Sequence, residues 1–594
     1  MLIIIISWIA ISIVLLSFGD IFLWGYNRIA KSSEEYNFPD TFLLGLCFVS
    51  ITLPITSFWW PSNHYILLLY MAISIIYWAL RRQRLLNCIG KMRAGLKSLS
   101  NLQKGSLAVL IAGVMLFVLF VHPFYDAAFY HYQLMRWNEE YSIVPGLANL
   151  EDRFGFNFNY LLVSAIFSFR FLSGEAIYSL NPLLFTIISC WCFISIVKKD
   201  YDIRYILLFV LLLCIFIMFW DYLPDSNTDI IPILCIFYYI VKTVLKPGWY
   251  KQQLLLSCLL PVVLATFKLS AAIFCLASLG VIIYCFAQNR KRNLAFLIAT
   301  SVLVVALWCI RNIIISGYLV YPLHSIDLFG FDWKVPKGIA LLQVEHIYHW
   351  AKYNFIVAYF LRQITPADKI GSMISIISYV STLYFLITPF VVSWWAIKKR
   401  KINMSLYWIY IVSCLSLITG TINAPDFRFN LGYILGCGFL VTVLILGNKR
   451  GILRINKVLT YSVLIIFILL MLQKTVLNFT EYKDEITTDI LFKQWRPKHN
   501  TDFVEYKLEG GTVYLTKHDG IEAHDVIPAT CVGGVPFNPF IGCKAQDIRT
   551  IESRGTTFQD GFRTKQQYID TINANAQKYF EDYYYQRYIS DRYK

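Results

Sequence analysis

The chain has 594 residues, of which 57% are hydrophobic and 15% charged, and it carries a formal net charge of +16; mean hydropathy is +0.55. A soluble domain cannot bury that much apolar surface, so the composition excludes a soluble globular protein and points to a polytopic membrane protein. It argues against a nucleic-acid partner as well, because Lys and Arg fall in short clusters between apolar runs, where they set topology and meet the headgroups of membrane lipids.

Met1 runs straight into the apolar stretch Leu2–Ala10 with no basic segment, so no cleavable signal peptide is expected. The apolar runs predict spanning helices near 2–24, 41–59, 65–80 and 106–121, then near 176–197, 205–222, 230–245, 254–267, 269–286 and 294–315. Further runs lie at 373–397, 405–420, 431–446 and 458–470. The expected fold class is an α-helical polytopic membrane protein with about 12–14 transmembrane helices, since only helices close their own backbone hydrogen bonds in lipid. The run Leu161–Phe169, cut by Arg170, reads as a half-helix or interfacial segment.

Basic clusters at 81–104, 198–204, 242–251, 290–292, 398–401 and 449–457 alternate with loops poor in Lys and Arg. The positive-inside rule assigns these clusters to the cytoplasm. Four segments then share the outer face: the loop 122–160, the loop 316–370, the turn 423–429 and the chain beyond Lys474. The expected organisation is 1–105 for the amino-terminal helices and a basic cytoplasmic loop, 106–473 for a transmembrane core, and 474–594 for a small extracytoplasmic α+β domain. Within that last domain, Gly511–Thr516 is strand-like and a polar, Tyr-rich helix is expected from about Gln566 to Tyr593. Its two cysteines, Cys531 and Cys543, bracket a Gly/Pro-rich loop, and an oxidising compartment favours a disulfide there over two free thiols.

The outer loop Phe124–Asn159 concentrates chemistry. Asp126 lies a few residues beyond an apolar run, and a carboxylate held at a membrane surface among cations and aromatics is a candidate reaction centre. Helical spacing puts Asp126, Tyr130, Gln133 and Trp137 on one face of a short surface helix. The bland alternative is an amphipathic interfacial helix with a capping Asp. His131 and Glu140 are alternative bases, and Arg136, Arg153 and Asn157 are further candidates for holding substrate. Three isolated cations, Lys268, Arg311 and Arg428, fall on the same face. Each alone could snorkel to headgroups; together, with Asp229 nearby, they favour a shared anionic ligand such as a phosphate.

With these residues in view, the chain resembles the GT-C superfamily of membrane glycosyltransferases, of a bacterial envelope type. The resemblance implies a loop carboxylate, matched by Asp126, that serves catalysis, and basic residues, here Lys268, Arg311 and Arg428, that hold the phosphate of a polyprenyl-linked sugar donor. It implies an inverting displacement with a glycan, lipid or protein acceptor, admits a divalent metal, and requires no other cofactor. Trp137, Trp333 and Trp350 would stack on sugar rings. The protein would sit in the bacterial inner membrane with its site facing the periplasm or exterior. The chain departs from the pattern in having three spans before the helix that carries the acidic loop, and the Trp-Trp-Asp motif of oligosaccharyltransferases is absent. A polysaccharide polymerase or O-antigen ligase, and a lipid or glycan transporter, are the alternatives.

Overall fold

The computed structural model describes residues 1–356, 403–447, 451–483, 503–516 and 548–584, apart from 122, 123, 125 and 425, with shorter stretches at 387–388, 390–395, 486, 492, 494–496 and 529–530. Cys531 and Cys543 lie outside these residues, as do most of the run 373–397 and the side chain of Trp350.

Helices α1 (Leu2–Ile29) and α2 (Phe38–Thr56) form an antiparallel hairpin. Their backbones touch: a Cβ on Gly19 would lie 2.0 Å from the Thr41 carbonyl oxygen, and one on Gly45 would lie 1.7 Å from that of Leu15. Close backbone approach through small residues is how helices gain packing energy in lipid, where water supplies no hydrophobic drive. α3 (His64–Leu80) turns by 93° into the basic helix α4 (Arg82–Lys97). α4 is fastened by its polar side, Arg84 to Asp20 at 2.5 Å and Lys91 to Glu35 at 3.7 Å, while Leu86, Ile89, Met92 and Leu96 face outward.

After α5 (Asn101–Phe117), the outer loop folds into a π turn (Ala127–His131), α6 (Tyr132–Glu140), two 3-10 turns (Leu147–Asn149 and Asp152–Phe156), α7 (Asn159–Ile166) and α8 (Arg170–Ser173). α9 (Leu180–Lys198), α10 (Ile203–Phe219), α11 (Ile230–Leu245), α12 (Leu254–Phe267), α13 (Cys275–Ala287) and α14 (Lys291–Ser316) follow. α15 (Lys337–Ile356), α16 (Met404–Asn423), α17 (Phe427–Leu446) and α18 (Leu453–Tyr482) complete the described bundle. Among the described residues, eight helical segments are long and apolar enough to cross a membrane, or nine if α3 and α4 count as one broken span. α5, α10, α11 and α12 are apolar but shorter. Every expected span except 373–397 coincides with a helix, and the expected half-helix is the buried eight-residue α7.

The two ends of the bundle differ as the charge pattern requires. At one end the basic loops meet: Tyr201 contacts Tyr461 and Gln103 through its hydroxyl, and Asn293 donates to Tyr26. At the other end Ser62 N–H donates to Asn138, Ile143 to Ser57 and Gly146 to Ile314, tying the loops after α2 and α14 to the outer loop. The amino-terminal helices share the core rather than standing apart. Glu34 accepts from the first backbone N–H groups of α12, and Asn159 donates to the Ser50 carbonyl of α2.

The carboxy-terminal segment carries β1 (Phe503–Leu508) and β2 (Gly511–Thr516) as an antiparallel hairpin, with β3 (Ala529–Thr530) parallel to β2. β4 (Ile551–Ser553) and β5 (Phe562–Thr564) form a second antiparallel pair, and α19 (Gln566–Tyr584) packs on α15. β2 and α19 stand where the sequence places them, α19 as far as the described residues go, and the other four strands are additions to that expectation. The segment docks on the loop-bearing end: Phe562 N–H donates to Pro145 at 3.0 Å and Trp495 exchanges bonds with Leu119 and Val121. Gly146, at φ +64, admits this docking because a Cβ there would lie 2.0 Å from the Phe562 carbonyl oxygen.

Candidate functional site

The outer loop begins with Asp126 at 41% side-chain exposure. The π turn after it closes with Tyr132 N–H donating to Ala127 rather than to the residue four back. That extra residue rotates everything beyond it, a device found often at functional sites. The expected face is therefore split. Tyr130 stays near Asp126, whereas Gln133 and Trp137 turn into the core. α6 is a buried helix and not a surface one, with Tyr132, Gln133, Leu134, Met135 and Trp137 all at 3% exposure or less.

Asp126 Oδ1 lies 3.7 Å from Arg153 Nη1. Arg153, delivered by the second 3-10 turn, is itself buried, lies 5.6 Å over the Tyr130 ring and reaches His346 Nε2 at 3.4 Å. Lys268, where α12 ends, pairs with Asp229 at the head of α11 and sits 4.0 Å over the Phe429 ring. Arg428, on the first turn of α17, pairs at 3.0 Å with the capping Asp426. These groups form one centre. Tyr130 feels the charges of Asp126, Arg153 and Arg428, and His131 feels those of Asp126, Lys268 and Arg153. Of the sequence candidates, then, the fold gathers Asp126, Tyr130, His131, Arg153, Asp229, Lys268 and Arg428.

Others go elsewhere. Arg311 is buried on α14, donating to Ser57 Oγ, to Asn157 Oδ1 at 3.2 Å and to Asn138 Oδ1 at 3.3 Å. Its partners are neutral and structural, so both Arg311 and Asn157 serve to lock the outer loop onto the bundle. Glu140 pairs with Arg136 at 2.5 Å at the far end of α6, about 20 Å along the helix from Asp126. Trp137 is 2% exposed and packs on Phe558 and Phe562 of the carboxy-terminal segment, so it cannot stack on a sugar. Trp333 stacks with Phe331 at 4.5 Å, lies 4.6 Å from the Arg554 guanidinium and stays half-buried.

His131 is enclosed by the loop before α11. At 2% exposure, burial lowers its pKa from 6.5 to about 3, and the imidazole stays neutral with Nδ1 3.5 Å from the Ser226 hydroxyl. Ser226 belongs to the buried loop before α11, where Asp225 accepts from the Tyr132 hydroxyl at 2.8 Å and from the Ser226 N–H at 2.6 Å. Burial raises Asp225 to about 6 against these bonds and the nearby Arg496. Behind Arg153, burial raises Glu151 and Asp152 together, and the charge of Asp152 pushes Glu151 up further. Among the described residues no three His, Cys, Asp or Glu side chains converge on a metal-sized site.

The sequence reading passed over Asp426 and Phe429, which steer Arg428 and Lys268. An Asp two residues before Arg at a helix start is a capping signal that marks Asp426. No local signal marks Phe429, whose role follows from α17 packing beside the end of α12.

Fold and site together describe a mostly helical chain, with several helices long and apolar enough to cross a membrane, that carries a charged centre at the loop-bearing end of its bundle. The profile of the family described as "Domain of unknown function (DUF8201)" matches residues 1–435, and the chain belongs to that family. The matched stretch holds every residue of the charged centre and stops before the strand-bearing carboxy-terminal segment. No curated protein and no solved structure matches the chain.

Proposed function

We propose that this protein is a membrane glycosyltransferase of the GT-C type that moves a sugar from a polyprenyl-phosphate-linked donor to an envelope glycan, lipid or protein acceptor. The supporting observation is the convergence of one half-exposed carboxylate, Asp126, with three cations, Arg153, Lys268 and Arg428, delivered by four separate elements. Each cation is already oriented by a carboxylate, so little reorganisation is needed when a phosphate arrives.

The acceptor hydroxyl oxygen attacks the anomeric carbon and gives its proton to Asp126. The bond from that carbon to the phosphate oxygen breaks, and the phosphate leaves with the electron pair, stabilised by the cations. One displacement inverts the anomeric centre. α11 and α12 have 16 and 14 residues, about 24 and 21 Å of helix against a hydrocarbon thickness of about 30 Å. Their ends at Asp229 and Lys268 are, in this reading, the recessed ones, at a depth that a lipid-borne phosphate would reach sideways from the bilayer. In this reading the protein resides in a bacterial inner membrane with the loop-bearing end outward.

Asp126→Asn keeps the side-chain shape but removes the base. Turnover with a polyprenyl-phosphate sugar should fall by about 10²–10⁴ with donor binding little changed. Lys268→Ala should instead weaken donor binding, because a phosphate contact is made before and at the transition state alike. Near wild-type turnover in Asp126→Asn would refute the assignment of the base. Failure of any polyprenyl-phosphate sugar to bind would refute the donor.

A further inference from the structure

A cavity opens at the same end of the bundle as the charged centre, beyond the carboxyl end of α6. Its volume is about 490 Å³, within the range of small-ligand sites. Its floor is an ion pair, Arg170 Nε to Glu139 Oε2 at 2.7 Å, with side-chain exposures of 16% and 7%. Its walls include His64, Tyr141, Phe169 and Phe171. The His64 ring stacks on Phe171 at 5.1 Å, and Phe171 remains 44% exposed. Phe169, a bulky residue, is held at φ +51, a left-handed conformation that costs energy and recurs at ligand sites.

The charges select the ligand class. Glu139 is paired with Arg170 and Glu140 with Arg136, the last standing just outside the lining, so both carboxylates of the cavity are already neutralised by a neighbouring cation. A phosphate would meet two carboxylates, and a metal ion would meet a guanidinium. What remains is a neutral molecule with many hydroxyls, met by the fixed acceptors and donors of the ion pairs and of Asn63 and Ser168, and with apolar faces for the aromatic rings. We infer that this cavity binds a neutral saccharide. As the resting place of a glycan acceptor it rests on the transferase reading, since it lies about 20 Å from Asp126 on the same helix; as a binding site it stands apart from it.

The test is isothermal titration of the full chain in nanodiscs with cellotetraose, maltotetraose and chitotetraose, and with inorganic phosphate as the charged comparison. At least one neutral tetrasaccharide should bind and phosphate should not compete with it. Phe171→Ala, a change at a half-exposed position, should weaken that binding about tenfold, and Asp126→Asn should leave it unaltered. Ser168→Gln, which enlarges a buried lining side chain whose hydroxyl accepts from the Arg170 N–H, should abolish it. No binding by any tetrasaccharide, or binding indifferent to Phe171→Ala and Ser168→Gln, overturns the inference. If donor binding persists in that case, the transferase reading survives alone. If the saccharide binds but no polyprenyl-phosphate sugar does, the cavity survives and the transferase reading falls.

Discussion

Two buried groups outside the spanning helices, His131 and Asp225, meet at Ser226 and titrate in opposite senses. The folded chain holds His131 neutral down to about pH 3, whereas in the unfolded chain it protonates near 6.5. Its contribution to stability is therefore complete above pH 6.5 and is lost as pH falls below that value. Between pH 7 and pH 5 the unfolded chain gains a proton here that the folded chain does not, a loss of about 2 kcal/mol. Asp225 runs the other way. Its folded pKa of about 6 lies above the unfolded 3.8, so its contribution is complete below pH 3.8 and is lost as pH rises through 6. Acidifying from pH 7 to pH 5 returns about 1.3 kcal/mol at this carboxyl. The two nearly cancel in the wild type, and single variants expose them. His131→Gln should lose about 2 kcal/mol less than wild type on acidification, and Asp225→Asn about 1.3 kcal/mol more. Unfolding free energies in mixed micelles at pH 7 and pH 5 give these differences. Parallel shifts of both variants at the two pH values, with no change in slope, would refute the argument that burial sets their ionisation.

Three further outcomes are expected. With the other cysteines replaced, a membrane-impermeant maleimide should label Trp60→Cys in intact cells and leave the native Cys88 on α4 protected until lysis; the reverse pattern would invert the orientation and remove the donor argument. Asn149, a natural first choice for such labelling, is unsuitable because it is buried and bonds Gly146, Trp333 and Thr564. Phe562→Ala should destabilise the docking of the carboxy-terminal segment by about 3–5 kcal/mol through the cavity left beside Trp137. Asp332→Asn, which breaks exposed pairs to Arg554 and Arg563, should cost less than about 1 kcal/mol, and limited proteolysis ranks the two. Finally, intact-mass analysis after alkylation should find Cys531 and Cys543 unmodified until reductant is added, a closed loop worth about 3 kcal/mol in the chain-entropy model; two alkylated thiols without reductant would mean that no bridge forms.

Sequence by itself determined the helices and their parity. An apolar run in lipid must satisfy its backbone within itself, so each described run became a helix, most within a few residues of the expected bounds and the last extended from 458–470 to Leu453–Tyr482. Alternating basic clusters then sorted the loops to two ends, which is why Asp126, Lys268 and Arg428 could be grouped before any packing was known. The strand at Gly511–Thr516 and the helix from Gln566 were legible for the same reason, local periodicity. Which partners meet was not legible. One extra residue in the π turn moved Trp137 from an open face into the core. Arg311 read as one of three isolated cations for a phosphate and Arg153 as a loop residue for substrate, yet Arg311 fell among the neutral acceptors Ser57, Asn138 and Asn157 and Arg153 beside Asp126. The Glu139–Arg170 pair joins α6 to α8, four elements later. Helix formation depends on neighbours a few residues apart, whereas the environment of a buried charge depends on residues that only the packing of distant helices brings within reach.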